Sequence, residues 1–219
     1  MKIASSLKLL APLASLAFAA PASAGLIDTS IFINADLDVS GSLSTSEFTT
    51  TLDAGLSARA IARSFRSADA NRNGDVQLSE FLVFDGTLTF ANKTERQFLL
   101  GDASVNGSLD FDEFVSTSGR RATLVSIRRN FLRADVDVNG SLTSQEYVNF
   151  RRGQTPQGER FTIFELTDFS GNGEITLSEF GNFFRQGAAS AKVSAKFTKL
   201  DADVNGVLTT SEWNPGVRP

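Results

Sequence analysis

The chain has 219 residues, 41% of them hydrophobic, with a formal charge of −4 and neither cysteine nor histidine. Without those two residue types there is no Ser-His-Asp or Cys-His nucleophile, no zinc site built on imidazole or thiolate, and no disulfide to staple a small fold. A glycosidase-type carboxylate pair is not formally excluded, but nothing marks one, and no enzyme is expected.

Residues 1–24 have the three zones of a secretory signal peptide. Lys2 and Lys8 supply the positive start, Leu9 to Ala20 the short apolar stretch, and Ala22-Ser23-Ala24 a small-residue cleavage site before Gly25. The apolar stretch is short and interrupted by Pro12, too little to span a bilayer, and no later stretch is long and apolar enough. Cleavage after Ala24 and a secreted or periplasmic product are expected, and the style of the signal points to a bacterium. With Lys2 and Lys8 removed, 19 basic side chains face 25 acidic ones, a net charge of −6.

From residue 25 onward the chain carries six twelve-residue segments dense in side-chain oxygen, each starting 33 residues after the last. Residues 25–87 hold loop 1, with Asp36, Asp38, Ser40, Ser42 and Glu47 at positions 1, 3, 5, 7 and 12, and loop 2, with Asp69, Asn71, Asn73, Asp75 and Glu80. Residues 88–154 hold loop 3, with Asp102, Ser104, Asn106, Ser108 and Glu113 plus Asp110 at position 9, and loop 4, with Asp135, Asp137, Asn139, Ser141 and Glu146. Residues 155–219 hold loop 5, with Asp168, Ser170, Asn172, Glu174 and Glu179, and loop 6, with Asp201, Asp203, Asn205, Val207 and Glu212. Position 6 is glycine in every loop, which allows a sharp turn that a Cβ obstructs. Oxygens converging from a short turned segment suit a hard cation that takes six to eight oxygen ligands.

The residues between the loops repeat as well. Four positions before each loop stands Phe32, Phe65, Phe98, Phe131, Phe164 or Phe197, and directly after each loop Glu stands Phe48, Phe81, Phe114, Tyr147, Phe180 or Trp213. Position 8 is always aliphatic: Leu43, Val76, Leu109, Leu142, Ile175 and Leu208. This predicts helix, loop, helix, with an aromatic at the inner end of each helix. A lone unit of this kind cannot bury its apolar set, whereas two can if their position-8 segments form a short antiparallel ladder. A weaker period of 66 selects the partners: Ile61, Ile127 and Val193 precede the even loops by eight residues, where the odd loops have Asp28, Thr94 and Arg160. Breaks are expected at Gly86 to Lys93 and Gly153 to Gly158, with Thr155-Pro156 as N-cap and first helical residue and Gly119 and Gly187 as helix stops. The first helix is expected over Asp28 to Ala35, and Pro215 cuts the last one short.

The pattern resembles the EF-hand superfamily, and the resemblance implies a fold, an ion and a set of ligands. The fold is all-α: six helix-loop-helix EF-hands arranged as three pairs over 25–87, 88–154 and 155–219, with a short β ladder at each paired loop. The ion is Ca2+. Side chains at positions 1, 3 and 5 ligate, position 7 gives its backbone carbonyl, position 9 acts through water, and the Glu at position 12 closes the site with both oxygens. Asp75 and Glu174, at position 7, add field rather than bonds. Loops 1, 4 and 6 offer three carboxylates each and loops 2 and 5 offer two, which implies dissociation constants on the order of 10⁻⁵ to 10⁻³ M.

The same resemblance leaves two functional readings. The first is an exported calcium-binding protein acting as a buffer or a calcium-stabilised module. The second is a sensor that grips a protein or an anionic surface when loaded; sensor hands open onto Met-rich grooves, and Met1 is the only methionine here. Lanthanide-binding EF-hand proteins such as lanmodulin are similar in outline but favour proline at position 2, where this chain has Leu37, Ala70, Ala103, Val136, Phe169 and Ala202. Arginines cluster between the loops, at Arg59, Arg63 and Arg66, at Arg120, Arg121, Arg128, Arg129 and Arg133, and at Arg151 and Arg152. They read as solvated faces balancing acidic loops, or as a basic surface uncovered when six dications move −6 to +6. No nucleic-acid partner is expected.

Overall fold

The computed structural model describes residues 27–119, 121–155 and 161–216. The export signal, Arg120, Pro156 and Arg160 lie outside these residues. Among the described residues the chain forms short helices and two-residue strands in a repeating order, broken only at the end, where no helix follows the last strand. The first third contains α1 (Ser30–Ala35), β1 (Ser42–Leu43), α2 (Thr45–Thr50), α3 (Ala58–Ala68), β2 (Val76–Gln77) and α4 (Leu78–Phe84). The second contains α5 (Lys93–Gly101), β3 (Ser108–Leu109), α6 (Phe111–Ser116), α7 (Leu124–Ala134), β4 (Leu142–Thr143) and α8 (Ser144–Arg151). The third contains α9 (Ile163–Thr167), β5 (Ile175–Thr176), α10 (Leu177–Gly181), α11 (Ser190–Leu200) and β6 (Val207–Leu208).

Local chemistry explains the helix starts. Ser57, Asn92, Thr123 and Thr162 each accept a backbone N–H of the first turn of α3, α5, α7 and α9, satisfying donors that have no partner within the helix. The helices that follow loops 1 to 5 all start with a reciprocal box between the position-9 residue and the Glu at position 12. The ends differ from expectation. Helix α6 stops at a C-cap Thr117 and α10 at a C-cap Asn182, both in ordinary right-handed backbone. Gly119 has no positive φ, and Gly187, at φ +79°, lies well beyond the end of α10. The described helix before loop 5 begins at Ile163, behind Thr162; a start at Pro156 lies outside the described residues.

The strands join the loops two by two in antiparallel register: Leu43 opposite Val76, Leu109 opposite Leu142, and Ile175 opposite Leu208. All six side chains are fully buried. Beneath each ladder lies one apolar cluster, built around Phe48 and Phe81, around Phe114 and Tyr147, and around Phe180 and Phe197. The aromatic repeat has a reciprocal logic. The ring before one loop packs on the ring after its partner loop: Phe32 on Phe81 at 5.7 Å and Phe65 on Phe48 at 5.6 Å; Phe98 on Tyr147 at 5.8 Å and Phe131 on Phe114 at 5.6 Å; Phe164 on Trp213 at 6.5 Å and Phe197 on Phe180 at 5.7 Å. Most are edge-on or tilted, the arrangement aromatic quadrupoles favour.

Adjacent thirds also touch. Helix α4 packs along α5, burying Ser79 and Leu82 completely, and Val105 of loop 3 reaches the first cluster. Helix α7 packs against α9, and the Val125 N–H donates to the Asn182 carbonyl at 3.3 Å. Arg128 also belongs to this second junction. It is half-buried and donates to three carbonyls of α9 and loop 5, so its environment is not a solvated helix face.

Candidate metal centres

All six loops solve the same electrostatic problem in the same way. The Asp at position 1 sits at the end of the preceding helix with its carboxylate turned back into the loop. One oxygen accepts the N–H of position 5: Ser40 to Asp36 at 3.0 Å, Asn73 to Asp69 at 3.1 Å, Asn106 to Asp102 at 3.0 Å, Asn139 to Asp135 at 3.1 Å, Asn172 to Asp168 at 3.2 Å and Asn205 to Asp201 at 3.1 Å. The other accepts the N–H of the position-6 glycine, at 2.8 to 3.2 Å. Successive backbone N–H groups of a turn thus cradle an anion and fix it as a pre-set ligand. The glycine at position 6 has φ between +80° and +102° in all six loops, a region L side chains avoid.

The Glu at position 12 closes each loop from the far side. One oxygen accepts the position-9 N–H in every loop, at 2.9 to 3.1 Å. The other reaches across to the loop start, and here the loops divide. Where position 3 is Asp, the acceptor takes the N–H of position 2: Leu37, Val136 and Ala202, each at 3.0 Å, and Glu47 takes the Asp38 N–H of position 3 as well, at 3.4 Å. Where position 3 is neutral it takes the N–H of position 3: Asn71, Ser104 and Ser170, at 2.9 to 3.0 Å. In the first group the Asp at position 3 joins the other two carboxylates: one oxygen each from Asp36, Asp38 and Glu47, from Asp135, Asp137 and Glu146, and from Asp201, Asp203 and Glu212 lies within 4.8 Å of the others. Three carboxylates at that separation repel strongly unless a cation sits among them, and the oxygen-only donor set is that of a hard divalent ion.

Loop 6 has the same construction although Thr210, Ser211 and Glu212 form a turn and not a helix. Glu212 still accepts from Ala202 and from both the N–H and the hydroxyl of Thr209. At position 9, one oxygen of the Asp110 carboxylate accepts the Glu113 N–H at 2.8 Å as the helix cap. Asp75 and Glu174 are exposed, and the Ser42 carbonyl accepts the Ser40 hydroxyl at 2.9 Å.

Proton affinities reflect the surroundings. Hydrogen bonds from the Ser44 side chain and backbone hold Glu47 below the ordinary glutamate range, and those from Thr209 do the same for Glu212. Burial works against Glu179, yet the hydrogen bonds from Thr176 and Ser170 outweigh it and its pKa is lowered. At Glu80 and Asp102 burial wins and the pKa is raised.

Position 4 carries a feature with no sequence-level expectation. Val39, Val105, Val138 and Val204 stand at φ 55° to 58°, and Arg72 at φ 60°. A β-branched residue in left-handed backbone costs about 1–2 kcal/mol. Val39, Val138 and Val204 are more than 80% exposed, so packing does not compensate.

Residues 61–88, which include all of loop 2, match the family model described as EF hand. No curated protein matches the chain. Among solved structures, a C-terminal domain seen in a crystal structure is 22% identical, over 57% of this chain and 74% of that one, with a TM-score of 0.24. A homolog of programmed cell death 6 protein from Leishmania major Friedlin is 25% identical, over 55% of this chain and 71% of that one, with a TM-score of 0.25. Neither TM-score supports a shared overall arrangement. The family match and the three acidic clusters together identify Ca2+ as the ion these loops are suited to hold.

Proposed function

We propose that the chain is an exported calcium-binding protein in which six EF-hands, arranged as three pairs, act as a calcium buffer or a calcium-stabilised module. The observation that carries this reading is the shared pose of the position-1 Asp, which takes the N–H of the position-6 glycine in all six loops, including those with only two carboxylates. Identical backbone cradles around unlike side chains mean that the loop geometry itself is retained. Among the described residues no helix is long and apolar enough to cross a membrane. The protein has no catalytic role in this reading, its acids being committed to the loops. Loaded with six ions it turns from −6 to +6, which favours anionic surfaces as partners.

Calorimetric titration of residues 25–219 tests the central part. At least four calcium sites are expected, and two or fewer would contradict a dedicated calcium protein. N-terminal sequencing of the exported product tests the rest: a start at Gly25 is expected, and retention of the full chain in the cytoplasm would refute export.

A further inference from the structure

The 33-residue repeat serves as its own control, because a residue that departs from its register stands out against five counterparts. Seven positions before each loop stand Thr29, Ala62, Glu95, Arg128, Phe161 and Ser194, so Arg128 is the only base in that register. At loop position 2, Phe169 is the only aromatic, against Leu37, Ala70, Ala103, Val136 and Ala202. At position 10, Phe111 is the only aromatic, against Thr45, Leu78, Ser144, Leu177 and Thr210. These three departures meet at one point. The Arg128 guanidinium lies 4.7 Å over the Phe169 ring, and the Phe111 ring packs against the same ring at 6.0 Å.

From there one Arg128 nitrogen, Nη1, donates to the carbonyls of Glu165 at 3.3 Å, Leu166 at 3.2 Å and Asp168 at 2.6 Å. These are carbonyls at the end of α9, which a helix of five residues leaves without internal donors. Asp168 is position 1 of loop 5, and its carboxylate takes the N–H groups of Gly171, Asn172 and Gly173. Loop 5 is therefore anchored at its first residue by a side chain from α7, the helix that leads into loop 4.

We propose that Arg128 is a positioning residue for the calcium site of loop 5, so that the affinity of that site depends on a helix belonging to the neighbouring pair. This rests on the reading of loop 5 as a calcium site. Loop 5 has only two carboxylates and follows a helix of five residues, and Arg128 adds a constraint at its first residue. Arginine suits the task because its planar head stacks on an aromatic ring while donating in its own plane.

The sign of the effect separates positioning from plain electrostatics. A cation beside the site repels Ca2+, so removing its charge tightens binding if charge alone matters. Positioning predicts the reverse. The experiment is a calcium titration of residues 25–219 monitored by amide NMR at Gly173, Gly140 and Gly74, whose N–H groups donate to the first Asp of loops 5, 4 and 2. Arg128→Gln is expected to weaken the Gly173 transition about threefold to tenfold, the effect of losing one or two net hydrogen bonds, with the Gly74 transition unmoved. Arg128→Lys keeps the charge but not the stacked plane, and is expected to fall between. A Gly173 transition that tightens or stays in place in Arg128→Gln overturns the proposal, as does an equal weakening at all three glycines, which marks general destabilisation. Glu179→Gln is the control on the site itself. If it leaves the Gly173 response intact, loop 5 is not a calcium site and both readings fall; if it abolishes the response while Arg128→Gln is silent, only the role of Arg128 falls.

Discussion

Glu80 and Val138 show at the scale of single residues what the loops cost when empty. Glu80 is 1% exposed, and burial raises its pKa. Between the ordinary and the raised value the folded chain binds more protons than the unfolded one, so metal-free stability falls as pH rises across that window. Glutamine carries no charge, and its one oxygen can take only one of the two backbone N–H groups that Glu80 accepts, those of Asn71 and Gln77. In chelator, the melting temperature of Glu80→Gln relative to the native protein should therefore be set back by that lost acceptor at every pH and climb as pH rises from about 4.3, where an ordinary glutamate is half protonated. Melting curves at several pH values check this; a difference independent of pH would contradict it. Val138 is strained at φ 57° and 81% exposed. Asparagine tolerates left-handed backbone, so Val138→Asn should stabilise the chain by about 1 kcal/mol, read from denaturant midpoints. The ligand residues and the position-6 glycines are legible in the sequence because they repeat and because their chemistry is local. The strain at position 4 is not, because valine at a fixed spacing reads equally well as an exposed strand residue; only the backbone angle discloses it.

At the scale of elements, the legible features are those set by contacts within one repeat or between a loop and its ladder partner. Position 8 points to Leu43 opposite Val76, and the strands pair there. The twelve aromatics point to a core, but their reciprocal arrangement across each ladder needs three-dimensional placement. Helix ends are less legible. Gly119 and Gly187 have the look of helix stops, yet Thr117 and Asn182 end the helices without left-handed backbone. Junctions between thirds are less legible: the repeat marks Arg128 as the only base in its register, but what it touches, the three carbonyls of α9 and loop 5, needs three-dimensional placement. A test at this scale is Phe48→Ala. Phe48 is fully buried and touches both Phe65 and Phe84, so truncation should cost about 3–5 kcal/mol and broaden or split the melting transition as the first third gives way early. A single transition shifted only slightly would mean that the ring is not the keystone of its cluster.

At the scale of the whole molecule, small clusters and no disulfides leave stability dependent on what fills the loops. Any ion that binds the folded chain alone stabilises it by RT ln(1 + [Ca]/Kd), which at about ten times Kd is roughly 1.4 kcal/mol per site and about 8 kcal/mol for six. Whole domains are stable by only about 5–15 kcal/mol, so compaction of this chain is expected to depend on calcium. The proposed export goes with a chain that stays loose where calcium is scarce and compacts where it is abundant. Far-UV circular dichroism and thermal melting of residues 25–219, with calcium and with chelator, measure this coupling directly. The expected result is a loss of helix signal on chelation and a fall in melting temperature of about 15–30 °C, from the usual 2–4 °C per kcal/mol for chains of this size. Unchanged helix content, with melting temperatures within roughly 3 °C of each other, would contradict it and make the loops occupants of a fold that the aromatic clusters hold together alone.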